Sequence, residues 1–270
     1  MSGILSRNSR KLCILILLLV FILPAFGQQE DCTLTWSDEF EYTGKPDPEK
    51  WGYDTGDHGW GNQELQNYTD SEANSFVKDG KLTIRAIKSN GSWTSARLVT
   101  KGKGDWLYGR IEVKAKLPEG RGTWPAIWML PTDWVYGGWP ASGEIDIMEH
   151  VGYDFGTIHG TIHTAAFNHS IGTQLGKSVR VENVSSAFHV YAVEWTPDTL
   201  TWFINGEAYY KIENPGKTFK EWPFDQRFHL ILNIAIGGTW GGAQGVDPGL
   251  EECAMEVDYV RVYQKKQSNP

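Results

Sequence analysis

The chain has 270 residues, 40% of them hydrophobic and 13% aromatic, and a formal charge of −8. That acidic balance argues against nucleic acid or an anionic membrane surface as a partner. The length is enough to bury a sizeable core within one domain.

Arg7, Arg10 and Lys11 precede an apolar run from Leu12 to Leu23, then Pro24 and Ala25-Phe26-Gly27. This is the pattern of a secretory signal peptide cleaved after Gly27. The run is shorter than the about 20 residues a membrane span needs. Removing 1–27 leaves 243 residues, with 22 Lys plus Arg against 33 Asp plus Glu, a charge of −11. No other stretch is apolar enough to cross a bilayer. The expected organisation is a signal peptide over 1–27 and a single exported, monomeric domain over 28–270. Two cysteines survive cleavage, Cys32 and Cys253. In an oxidising compartment an even pair predicts a disulfide; the alternative is two unpaired thiols.

Beyond that point strand signals dominate. Pro48–Trp51 can make one helical turn. Lys81–Lys88, Arg110–Leu117, Phe188–Trp195, Leu200–Ile204, Phe228–Ile236 and Met255–Tyr263 read as strands from alternation or from β-branched and aromatic content. Asp79-Gly80 and Asn205-Gly206 are turn signals, the second between two strand-like runs. Roughly a dozen short strands without a sustained helical period predict an all-β sandwich of two packed antiparallel sheets. Within it, Trp195 and Trp202 alternate with apolar partners and read as core. Asn67, Asn90, Asn168 and Asn183 begin N-glycosylation sequons, which matter only in a eukaryotic secretory pathway.

Gly143–His150, GEIDIMEH, is the unusual stretch. In a regular strand Glu144 and Asp146 share one face while Glu149 points to the other. An ionised carboxylate in the apolar layer is very costly. One extra residue near Met148, as a β-bulge, returns Glu149 to the face of the other two acids. Three carboxyls on one face raise at least one pKa, so a protonated acid can sit beside an ionised one. That pair is the equipment of a glycosidase, and carboxyls about 5–5.5 Å apart imply retention of configuration. The bland alternatives are a solvated acidic face, or a carboxylate site for Ca²⁺ or Mg²⁺. Trp124, Trp128, Trp134 and Trp139 crowd the preceding segment and offer flat platforms for sugar rings, or ordinary core. Asn233, polar within an aliphatic run, reads as a cleft-facing contact or a satisfied buried amide.

The stretches WSDEF (36–40), WGNQELQNYT (60–69), GTWPAIWMLP (122–131), GEIDIMEH (143–150), GTIHTAAFNHSIGT (160–173), FHVYAVEWTPDTLTWFING (188–206), LILNIAIGGTWGG (230–242) and VDYVRVYQ (257–264) together resemble glycoside hydrolase family 16, in its laminarinase (endo-β-1,3-glucanase) branch. The resemblance implies a β-jelly-roll with an open cleft on its concave sheet. It implies Glu144 as nucleophile, Asp146 as the residue tuning the pair, and Glu149 as acid/base. It further implies Asn62 and Glu64 on sugar hydroxyls, Trp124, Trp128 and Trp240 lining subsites, and His163 in support. Lichenases of the family lack the extra residue, so the bulged motif points away from a strict lichenase. No cofactor is implied for the chemistry. A structural Ca²⁺ is implied at Asp258, with backbone carbonyls near Glu39 and Gly80. The rivals are a mixed-linkage glucanase, a wall-remodelling transglycosylase, and a non-catalytic β-glucan recognition protein, the last disfavoured because all three acids are present.

Overall fold

The computed structural model describes residues 32–266. The signal-peptide expectation lies outside them. The strands run β1 (Cys32–Asp38), β2 (Gly52–Tyr53), β3 (Gln66–Tyr68), β4 (Ser75–Lys78), β5 (Lys81–Ser89), β6 (Ser92–Ser95), β7 (Arg97–Val99), β8 (Asp105–Trp106) and β9 (Gly109–Lys116). They continue as β10 (Thr123–Pro131), β11 (Glu144–Glu149), β12 (Thr157–His163), β13 (Leu175–Arg180), β14 (His189–Trp195), β15 (Thr199–Ile204), β16 (Glu207–Glu213), β17 (Phe228–Ile236) and β18 (Glu252–Lys265). All six anticipated strands are present. Pro48–Trp51 makes one turn, closed by Trp51 N–H on Asp47 O. Asp79-Gly80 and Asn205-Gly206 turn tightly with positive φ at both residues, joining β4 to β5 and β15 to β16.

A ten-stranded sheet has the order β16-β15-β14-β9-β18-β5-β6-β3, with β1 on β18 and β4 on β5. An eight-stranded sheet has the order β13-β12-β11-β10-β17-β7-β2, with β8 on β17. Pairing is antiparallel except for β3 with β6, which is parallel. The sequence reading missed that mixed edge, because β3 and β6 are only three and four residues long, too short to show alternation. The core fills the space between the sheets. In β9 Ile111, Val113 and Ala115 point inward, and in β5 Leu82, Ile84 and Ala86 do the same. Trp195 and Trp202 are fully buried there, as their alternation implied. In β17 all nine residues are buried. Leu230, Leu232, Ile234 and Ile236 enter the core, which leaves His229, Ile231, Asn233 and Ala235 for the outer face.

The disulfide expectation fails. Cys32 is paired with Lys265 at the far end of β18, while Cys253 faces Ala86 near its start. Twelve residues of β18 separate those points, about 40 Å at 3.3 Å per residue. A disulfide needs Cα atoms within about 7 Å. Both thiols are free, and burial pushes Cys253 up to about 12. Among the sequons, Asn168 is buried and its amide donates to Thr164 O, so the folded chain does not offer it for modification.

Candidate active site

The outer face of the eight-stranded sheet carries the acids. Against β10, Met129 pairs with Ile145, Trp128 with Asp146, Ile127 with Met148 and Ala126 with Glu149. Against β12, Glu144 pairs with His163, Asp146 with Thr161 and Glu149 with His159. The bulge is therefore where the acid spacing required it. The residue without a partner on β10 is Ile147 rather than Met148, which keeps its place opposite Ile127. Ile147 and Met148 both enter the core, and Glu144, Asp146 and Glu149 all line the cleft. From the other sheet, Trp202 Nε1 donates to Asp146 O at 2.8 Å and pins the strand at the bulge.

Each outer glutamate receives an indole N–H. Trp139 Nε1 donates to Glu144 Oε2 at 2.8 Å, and Trp124 Nε1 to Glu149 Oε1 at 3.0 Å. Burial, and then the charge on Asp146, pushes Glu144 up to about 8, against the pull of His163 and Trp139. Burial, and then Glu144, pushes Glu149 up to about 7, against the pull of Trp124 and His163. Asp146 is raised well above the carboxylate range, chiefly by burial and then by Glu149. Three mutually opposed charges keep at least one proton near neutrality. Asp146 is 1% exposed, and among the described residues its Oδ2 has no hydrogen-bond partner. All three carboxyls are therefore raised, and the proton they keep is shared among Glu144, Asp146 and Glu149.

The remaining sequence candidates fall into two groups. Asn62, Glu64, Trp124, Trp128 and Asn233 line the cleft, whose volume is about 330 Å³. Trp128 Nε1 donates to Asn233 Oδ1 at 2.7 Å, and Asn233 Nδ2 to Tyr68 Oη at 2.9 Å. Glu64 accepts from Asn62 Nδ2 at 3.1 Å and Gln66 Nε2 at 2.7 Å. Trp240 sits edge-on to Trp124 at 5.4 Å and to His159 at 5.0 Å. His163 Nε2 lies 3.4 Å from Asp146 Oδ2 and 3.8 Å from Glu144 Oε1. His150 points away and accepts from Gly156 N–H, a structural role.

The calcium candidates lie apart from the cleft, in the other sheet. Register brings Glu39, which follows Asp38 opposite Val260, to the same stretch of β18 as Asp258. Gly80 turns beside it, since Leu82 faces Val257. The Asp258 carboxylate is 2.7 Å from Lys114 Nζ, and both Glu39 carboxylate oxygens accept from Arg261.

Sequence reasoning missed several cleft residues. In the sequence Trp139 is one member of a tryptophan cluster, yet in the fold it holds Glu144. Arg97 is stacked between Trp60 at 4.6 Å and Trp128 at 4.7 Å and is paired with Asp54. Nothing local in SARLVT marks it. His58 packs on Trp60 at 4.3 Å, and His169 packs on Trp139 at 5.0 Å.

The segment carrying Trp139 is fastened at its base by Gln226, which is 5% exposed. Its Oε1 accepts from Val135 N–H at 2.9 Å and its Nε2 donates to Ser142 O at 3.1 Å. Gln226→Ala strands the buried Ser142 carbonyl and frees Val135 N–H, and is expected to cost about 1–3 kcal/mol. Trp139 would then hold Glu144 less firmly. Urea unfolding checks the first effect and kcat the second; unchanged kcat would show that the segment needs no such anchor.

A protonated carboxyl beside an ionised one, in an open groove walled by tryptophan, is the machinery of a glycoside hydrolase. The profile of the Glycosyl hydrolases family 16 matches residues 62–261. A β-glucanase of Rhodothermus marinus is 56% identical over 85% of this chain and 84% of its own. The solved laminarinase of Rhodothermus marinus is 55% identical, superposes with a TM-score of 0.84, and is covered over 98% of its length by 87% of this chain. A solved non-specific endo-β-1,3(4)-glucanase is 47% identical, with a TM-score of 0.83 over 87% of this chain and 92% of that one. The chain belongs to glycosyl hydrolases family 16, is of laminarinase type, and has that family's jelly-roll fold.

Proposed function

We propose that the protein is a secreted, monomeric, retaining endo-β-1,3-glucanase. The observation that carries this reading is the bulged strand that aims Glu144, Asp146 and Glu149 into one aromatic groove. The laminarinase name of a solved relative 55% identical supports the substrate. Glu144 attacks the anomeric carbon, and the glycosidic C–O bond breaks as Glu149 gives its proton to the departing oxygen. In the second step Glu149 takes a proton from water, the water oxygen bonds to the anomeric carbon, and the ester to Glu144 breaks. Asp146 sets the protonation of the pair, and His163 supports Asp146 and Glu144. Asn62, Glu64, Trp124, Trp128, Asn233 and Trp240 hold the glucan. The test is reducing-end release from linear β-1,3-glucan, with NMR of the first-formed anomer. Initial α-anomer, or no release, would overturn it.

A relative described as a non-specific endo-β-1,3(4)-glucanase favours a second reading, in which β-1,4 links are tolerated beside β-1,3. Relative rates on mixed-linkage glucan decide between them.

We propose further that Ca²⁺ binds at Asp258, because carboxylate and carbonyl oxygens suit that ion. The Asp258 carboxylate and the Glu39 and Gly80 carbonyls would hold it, and it would tie strands together without entering the reaction. Lys114 would have to leave Asp258. Added Ca²⁺ is expected to raise the melting temperature, and Asp258→Ala to abolish that rise. An equal rise in the variant would remove Asp258 as a ligand.

A further inference from the structure

Glu144 and the two groups beside it make a second kind of chemistry possible. His163, Glu144 and Asp146 can each offer one ligand atom within 4.8 Å of the other two. The His163 ring is 3.4 Å from Asp146 Oδ2 and 3.8 Å from Glu144 Oε1. Bonds of 2.0–2.1 Å from a tetrahedral Zn²⁺ put neighbouring ligand atoms about 3.4 Å apart. The two distances from His163 match that spacing to within a few tenths of an ångström.

Two further features point the same way. Asp146 Oδ2 is buried and accepts no hydrogen bond, although it faces a ring nitrogen. The other oxygen of Glu144 is already fixed by Trp139, which leaves Oε1 toward the histidine. Backbone pairing of Glu144 with His163 on adjacent strands holds the two side chains on one face.

We propose that Glu144, Asp146 and His163 form a binding site for a borderline divalent cation such as Zn²⁺, and that the ion and the glucan exclude each other. One imidazole with two carboxylates suits Zn²⁺ or Co²⁺; Ca²⁺ and Mg²⁺ need more oxygen ligands. The fourth position opens to the cleft, where water completes the shell. His163 Nδ1 meets no hydrogen-bond partner, so the imidazole lacks the outer support that strengthens dedicated zinc sites. The site is therefore a reversible inhibitory one. The bound ion takes the oxygen environment that Glu144 needs for attack, and it replaces the proton the acids otherwise share, so binding releases protons and weakens as pH falls.

The binding stands independently of the glucanase reading; only the inhibition rests on it. Calorimetric titration of the whole protein with ZnCl₂ near neutral pH is expected to show one equivalent bound. Co²⁺ should give the intense visible absorption of a tetrahedral site. His163→Ala and Asp146→Asn should each weaken Zn²⁺ by at least about tenfold. A β-1,3-gluco-oligosaccharide should displace the ion from the unaltered protein, a readout that needs no variant. Zn²⁺ bound equally by both variants, no binding in calorimetry, or ion and oligosaccharide bound together without mutual effect would each overturn the proposal. If Zn²⁺ binds as expected and no glucan is cut, the glucanase reading fails and the metal site stands.

Discussion

Glu144→Gln is expected to lower turnover of linear β-1,3-glucan by at least about a thousandfold, since an amide cannot form the glycosyl ester. The same change should raise the melting temperature above neutral pH. Burial and Asp146 hold the Glu144 carboxyl at about 8, above its ordinary 4.5. A raised carboxyl favours the fold at low pH, and that contribution is lost as pH climbs from 4.5 through about 8, because the unfolded chain ionises first. Glutamine does not titrate and keeps an acceptor for the Trp139 N–H. The pH dependence of melting should therefore flatten between those limits. Burial pushes His150 and His229 down to about 4, and they act in the opposite sense. They withdraw stability as pH falls from 6.5 through about 4, in both forms. Substantial residual turnover in the variant would remove Glu144 from the nucleophile role. An unchanged melting profile would show that burial and Asp146 do not raise the Glu144 carboxyl in the fold.

Deleting Met148 is expected to lower stability by about 2–5 kcal/mol, the range for emptying a large apolar site, while turnover survives. Met148 is fully buried opposite Ile127, and Ile147 beside it is the residue skipped by β10. With one of the two gone, Ile147 moves opposite Ile127 and the strand alternates regularly. Glu149 keeps Ala126 and His159 as partners, so it still faces the cleft. The product would have the regular strand of lichenases, and its rate on mixed-linkage glucan is the natural comparison. Denaturant unfolding and reducing-end release measure the two effects. A folded but inactive deletion would mean that the bulge sets the distance between the carboxyls as well as their face. Trp202, which donates to Asp146 O at the bulge, would then be the residue to alter next.

The sequence by itself determined the strand layers and the face that the three acids share. Alternation in Arg110–Leu117 placed β9, because a half-buried strand must repeat every second residue. The acid spacing of GEIDIMEH demanded a bulge, because the alternative was a carboxylate in the core. Asn233 declared itself by polarity among aliphatics, and the structure puts it on the cleft side of β17. These are local patterns, and burial cost alone reads them.

What only the tertiary structure decided depends on which strands lie together. Cys32 and Cys253 are each near an end of the domain sequence, which suggested a clip. The pairing of β1 with the far half of β18 puts them at opposite ends of one strand. Arg97 looks like any strand arginine until β7 pairs with β17 and sets it between Trp60 and Trp128. Trp139 holds Glu144 from a segment that Gln226, more than eighty residues on, helps to fasten. Contacts of that kind are fixed by register and closure across the fold, and no window of the chain records them.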